Sequence, residues 1–221
     1  MLVFDYYNPN PDPAEPGLCN GHINPKELAG ENVMVFASHE HQDHFVPAIF
    51  GWRQEIPEIT YVLGCQPDSA PKYEFMGTRE ERTIDGVKIT TIDSNDPGVG
   101  FWVEADGVTV FHAGDHANRW LDFSGPYKEE IDFLAAKGVR PDIAFLPVSG
   151  CGFGDQEAVN LGVYYVLETL KPRVFMPDHA GGGEYRYGEF VSACKDKFPT
   201  TQMKAPQARG DRYRYRDGRV S

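Results

Sequence analysis

The chain is short of thiol pairs, of positive charge and of long apolar runs, and each shortage narrows its function. Its four cysteines, Cys19, Cys65, Cys151 and Cys194, are scattered along 221 residues with no C-x-x-C pair. A disulfide framework or a cysteine-rich zinc module is thereby excluded, and reduced, mostly buried thiols in a cytoplasmic protein are expected. Lys and Arg number 21 against 33 Asp and Glu, a formal charge of −12. That balance disfavours nucleic acid or an anionic membrane as the main partner. The opening "MLVFDYYNPNPDP" has no basic n-region with an apolar core behind it, and no stretch approaches the roughly 20 apolar residues of a membrane span. Repeats, low-complexity tracts and dividing linkers are also missing. Residues 1–221 therefore read as a single domain, long enough to bury a core without a disulfide or metal staple.

What the chain does have is short apolar runs set off by turn residues. Residues 2–4, 33–37 and 61–63 read as buried strands, and "VKITTI" (87–92), "GFWVEA" (100–105) and "VTVFHA" (108–113) continue the series. Asp85-Gly86 and Asp106-Gly107 are hairpin signals, so the last three runs are expected to form an antiparallel meander. The pattern then changes to alternation. A helix is predicted from Pro126 to Gly138, a strand over 142–148, a second helix from the N-cap candidate Asp155 to the residue before Pro172, and a strand over 173–177. Sheets covered by helices follow as the architecture.

The most unusual stretch is "ASHEHQDHF", residues 37–45, which holds three of the seven histidines. In extended chain His39 and His41 point to the same side and suit one metal ion. Asp43 and His44 are adjacent, project differently, and are better placed for a neighbouring ion. Four ligand-type side chains straight after a buried strand have the pattern of a site rather than of a core.

"HEHQDH" (39–44) resembles the H-x-H-x-D-H signature of the metallo-β-lactamase fold superfamily of metal-dependent hydrolases. Further pieces follow in that superfamily's order. "FHAGDH" (111–116) is similar to the strand ending in Gly-Asp, which makes Asp115 the aspartate bridging two ions. "VFMPDHAGG" (174–182) is similar to the late strand ending in a ligand, His179, and "LVFDYYNP" to the early strand ending in a supporting aspartate, Asp5. "PVSGCGFGDQEAV" and "FHAGD" bring the chain closest to the ascorbate-6-phosphate-lactonase-like branch. The resemblance covers nearly the whole chain. It implies an α/β four-layer αββα sandwich, here short of the first N-terminal strands, since relatives carry two strands before the one ending at Asp5. A longer gene product, or a second copy or other chain over the bare sheet edge, is the corresponding expectation.

The resemblance also implies one or two divalent ions, zinc or manganese. His39, His41 and an aspartate would hold one, Asp43, His44 and His179 the other, with Asp115 between. The superfamily's third histidine on the first ion has no counterpart in "TIDSNDPGVGF" (91–101). Asp93 or Asp96 is its replacement, giving a more oxygen-rich site. A hydroxide between the ions would be the nucleophile, with Asp43 or a neighbouring imidazole as the catalytic proton carrier. Ser94, Asn95 and His116 are candidate substrate contacts. His112 is expected as a packed or supporting histidine and His22 as a surface one. "RYRYR" (212–216) alternates as an edge strand with one charged face. The substrate expected is a small ester, lactone or phosphorylated metabolite. A phosphodiesterase or nuclease on the same fold and a non-catalytic metal-binding homologue are the alternatives.

Overall fold

The computed structural model describes residues 1–7, 16–150, 152–181 and 183–221; Cys151 and Gly182, both within expected motifs, lie outside these described residues. The chain divides into two compact units. One is Met1–Gly77 with Arg209–Asp211, the other Thr78–Ala208 with Arg212–Ser221.

In the first unit four strands pair side by side and in parallel: β1 (Leu2–Phe4), β2 (Met34–Ala37), β3 (Thr60–Leu63) and β4 (Glu74–Phe75). All four residues of β2 are buried, which is why its sequence is an unbroken apolar run rather than an alternation. A 3₁₀ segment, Pro47–Gln54, follows the histidine-rich turn and sends Ile49 and Trp52 into a core with Val35, Tyr61 and Leu63.

The second unit holds a seven-stranded sheet in the order β11-β10-β9-β8-β7-β6-β5. Its strands are β5 (Glu81–Ile84), β6 (Val87–Asp93), β7 (Val99–Ala105), β8 (Val108–His112), β9 (Ile143–Pro147), β10 (Val174–Asp178) and β11 (Gln202–Met203). β5 to β8 run antiparallel. β8 to β11 run parallel, and parallel neighbours need crossovers. The helices α1 (Tyr127–Ala135), α2 (Gln156–Thr169) and α3 (Tyr185–Cys194) provide them. Asp155 caps α2 as expected, its side chain accepting from Glu157 N at 2.7 Å. The core is built of Trp102, Phe111, Leu146, Val166 and Phe175 among others. A last hairpin joins β12 (Tyr215–Arg216) to β13 (Arg219–Val220).

The expected meander is present as β6-β7-β8, with one correction. Asp85-Gly86 turns β5 into β6, and residues 94–98 make the β6–β7 connection. β5 escaped notice because "ERTI" carries only one aliphatic residue and none of its side chains is fully buried. Of the strand expected over 212–216 only Tyr215 and Arg216 pair. The thiols need correction too: among the described residues Cys19 is exposed, Cys65 half-buried and Cys194 buried, each free of disulfide. No helix among the described residues is long and apolar enough to cross a membrane.

Strand direction decides what gathers where. In the first unit β1 and β2 are parallel, so Asp5 and the 38–44 turn emerge at the same sheet end. In the second, β6 runs the same way as β8, β9 and β10. Asp93, Asp115, Ser149 and His179 thus all leave the carboxyl ends of their strands at one edge, the usual ligand edge of α/β sheets.

Candidate functional site

Each unit carries one cluster of ligand-type side chains. In the first unit Asp5 is the organiser. Its Oδ1 accepts from Ser38 N at 2.7 Å, and its Oδ2 accepts from the Ser38 hydroxyl and from His44 Nδ1, each at 2.7 Å. The Ser38 hydroxyl has a single proton and gives it to the carboxylate. It must therefore accept from His39, whose Nδ1 lies 2.9 Å away. Two tautomers are fixed by this arithmetic: His39 and His44 both carry their proton on Nδ1, leaving a lone pair on each Nε2. His39 Nε2 lies 2.9 Å from His41 Nδ1, and His44 Nε2 lies 3.8 Å from Asp43 Oδ2. A proton on His41 Nδ1 satisfies the first contact, whereas a cation can take up both lone pairs and the nearby carboxylate, so the donor set fits a metal ion.

Burial supports the same reading. His39 and His44 are buried polar residues, 1% and 5% exposed, while Asp43 keeps 40% of its side chain exposed. Asp5 also has φ 41, a left-handed conformation that a non-glycine residue holds only at a cost of roughly 1–3 kcal/mol. Nearby Cys65 is no nucleophile: burial first, then the carboxylates of Glu40 and Asp5, push its thiol up to about 12.

The second unit repeats the device with different parts. His179 Nδ1 lies 3.0 Å from the carbonyl oxygen of Ser149, to which it can only donate. Its Nε2 is then 3.2 Å from Asp115 Oδ1, again an arrangement that a proton or cation between the two atoms satisfies. Phe153 stacks on the His179 ring, centroids 4.9 Å apart, and Gly150 allows the ring its place, since a Cβ there would lie 2.1 Å from Nδ1. His179 also sits at φ 62. Like Asp5, it is a residue of its cluster held in the left-handed region outside any Asp-Gly turn.

The remaining sequence-derived candidates lie in the second unit. Asp93, at the end of β6, accepts from the Thr78 hydroxyl at 3.0 Å, and its backbone N–H donates to Glu130 at 3.0 Å. Asp96 pairs with Arg119 at 2.9 Å. Ser94 is 8% exposed, and its hydroxyl accepts from Asp96 N. Asn95 donates to the carbonyl of Ala117 at 2.7 Å. His116 is 2% exposed, stacked on Tyr127, and burial pushes its imidazole down to about 4. His112 is packed as expected, with Nδ1 accepting from Gly114 N. His22, expected at the surface, is instead buried at 9% exposure. Gly17 bridges it, and Asn20 accepts from its backbone N–H. Sequence reasoning passed over Ser38, Arg119, Phe153 and Gly150. Ser38 could have been found, because a lone hydroxyl stands between the buried strand and the first histidine.

No family model matches the chain. It is 27% identical over 218 residues to a UPF0173 metal-dependent hydrolase of Archaeoglobus fulgidus, covering 90% of this chain and 83% of that protein. A UPF0173 metal-dependent hydrolase of Methanoculleus marisnigri is 31% identical over 162 residues, 66% of each. Among solved structures, the metallo-β-lactamase fold protein YhfI of Bacillus subtilis matches 85% of this chain and 78% of its own with a TM-score of 0.52. At 11% identity that likeness shows a shared fold.

Proposed function

We propose that this chain, a member of the metallo-β-lactamase fold superfamily, is a metal-dependent hydrolase of a small ester, lactone or phosphorylated metabolite. The observation carrying the proposal is the Asp5–Ser38 network, which spends one carboxylate and one hydroxyl on fixing two imidazole tautomers with their Nε2 lone pairs outward. A merely structural histidine pair has no need of that. The names of the relatives, metal-dependent hydrolases, support the reaction class. Likeness of "FHAGD" and the 147–159 stretch to the lactonase-like branch supports the substrate class, as does a charge of −12, which works against nucleic acid.

In this reading His39 and His41, with Asp93 or Asp96, would hold one divalent ion, and Asp43, His44 and His179 would hold a second. Asp115 would be a ligand shared between them, and zinc or manganese suits this mixed nitrogen and oxygen set. When bound, the ions supply Lewis acidity and acidify water from a pKa of about 15.7 to about 7. The protein's own groups do the rest. Asp5 and Ser38 keep the imidazoles in the metal-binding tautomer. Half-exposed Asp43 carries the proton to the leaving group, while Ser94 and Asn95 orient the substrate. No serine or cysteine nucleophile is involved, in keeping with the raised Cys65 thiol.

Replacing His41 with Ala tests the assignment, because His41 is exposed and its removal leaves the core intact. Metal content and turnover of an ester, lactone and phosphate-ester panel are expected to fall together, turnover by at least about 100-fold. Wild-type metal content and wild-type turnover in that variant would refute it.

A further inference from the structure

Metal binding does not account for Arg119, although its partner Asp96 is one of the two candidate ligands of the first ion. Arg119 lies in the loop that follows Asp115, and its Nη2 donates to Asp96 Oδ2 at 2.9 Å. Its Nε, on the same donor edge of the guanidinium, is shielded from solvent and has no hydrogen-bond partner among the described residues. That edge is the fork that matches an oxyanion bidentately, and Asp96 uses only one of its two prongs. A buried donor without an acceptor costs about 1–3 kcal/mol unless something completes it. Here an acceptor is within reach from outside, because 23% of the Arg119 side chain and 19% of that of Asp96 are exposed.

The surroundings connect this fork to the ligand cluster of the same unit. The Arg119 guanidinium stands 6.0 Å from the centre of the Phe153 ring, and Phe153 stacks on His179, whose Nε2 faces Asp115. Asn95 ties its loop to Ala117 at 2.7 Å, so the 94–96 loop is fastened to the 115–119 loop at two points. Asn95 Oδ1 is likewise shielded and lacks a hydrogen-bond partner among the described residues. An unfilled acceptor and an unfilled cationic donor thus stand on neighbouring loops at the ligand edge of the sheet.

We infer that Arg119 is the residue recognising an oxyanionic substituent of the substrate, the shared chemistry of a phosphate ester and a carboxylate. The inference rests on the hydrolase reading for its location and gives that reading a substrate class: small molecules carrying an anionic group beside the bond that is cut. Asp96 occupies one prong of Arg119 in the absence of substrate and is displaced by the incoming oxyanion. No bond is made or broken at Arg119; the residue binds and orients.

The test is calorimetric titration of inorganic phosphate, and separately of acetate, into the protein as purified, with metal content measured on the same samples. Wild-type protein is expected to bind phosphate saturably. Arg119→Ala should weaken binding about 10- to 100-fold with metal content unchanged, Arg119→Lys should fall between, and Asp96→Asn, compared at equal metal content because Asp96 is also a candidate ligand, should strengthen it by loosening the hold on the fork. Acetate bound as tightly as phosphate would assign a carboxylate substituent; weaker acetate binding assigns a phosphate. Phosphate binding absent from wild-type, unaltered in Arg119→Ala, or lost together with the metal would overturn the inference. The hydrolase reading fails separately, through lack of turnover on the substrate panel while phosphate binding by Arg119 persists.

Discussion

Asp5 shows how much chemistry one side chain can organise. It receives three hydrogen bonds, from Ser38 N, the Ser38 hydroxyl and His44 Nδ1. Asn is the informative replacement, because it tolerates the left-handed backbone of position 5 but exchanges one acceptor oxygen for a donor. The NH₂ group would then oppose the hydroxyl proton and the imidazole N–H. Asp5→Asn is expected to weaken metal affinity by about 10- to 100-fold with the fold retained, as removal of an outer partner of a metal-binding histidine does. Competition against a chromogenic chelator measures it, and unchanged affinity would show that Asp5 is not the organiser. At this scale much was legible. His39, His41, Asp43 and His44 stand out because one short turn supplies all of them, whereas Asp115 and His179 were reached only through the resemblance of "FHAGDH" and "VFMPDHAGG" to superfamily motifs. The Arg119–Asp96 pair was not legible: its members are 23 residues apart, and no spacing rule relates two loops at the end of a sheet.

Elements set these residues in place, and two glycines show how tightly. Gly150 follows β9, where an added Cβ would fall 2.1 Å from His179 Nδ1 and 3.0 Å from Phe153. Gly150→Ala must therefore displace the imidazole from the Ser149 carbonyl, and it is expected to lower metal occupancy without unfolding the protein. Normal occupancy by elemental analysis would contradict this. Gly162 lies in α2, where Ala would ordinarily favour a helix by about 1 kcal/mol. Here the new Cβ would sit 2.5 Å from Asn118 Cβ and 3.0 Å from the Tyr127 ring, and overpacking of that kind costs about 1–3 kcal/mol. The steric penalty wins, so Gly162→Ala is expected to be destabilising, read as a lower denaturant midpoint; a raised midpoint would contradict the packing. Sequence patterns found β1 to β3, β6 to β10, α1 and α2 because each has an apolar run, a sustained period or a cap. They missed β4, β5, β11, β13 and α3. The strands are polar or short, and α3, "YRYGEFVSAC", mixes aromatic and charged residues around Gly188, with only Tyr187, Phe190 and Cys194 buried.

For the whole molecule, chain order and strand direction place the candidate ligands within each unit. The H-x-H-x-D-H turn and Asp5 belong to one unit, Asp115, His179, Asp93 and Asp96 to the other, and in each unit the residues leave the carboxyl ends of parallel strands. The lateral order of those strands was not legible, since pairing between distant segments leaves no local trace. A chain that invests buried imidazoles and two left-handed residues in ligand placement is stabilised by what it binds. An ion present at 100 times its Kd contributes about 2.7 kcal/mol. The most direct measurement is therefore elemental analysis of protein purified without chelator, paired with its melting temperature before and after chelation. The account predicts one or two equivalents of a divalent ion, zinc or manganese, and a melting temperature that falls on chelation and returns when the ion is restored. Protein that holds less than about a tenth of an equivalent after incubation with either ion, and melts the same with and without chelator, would contradict it.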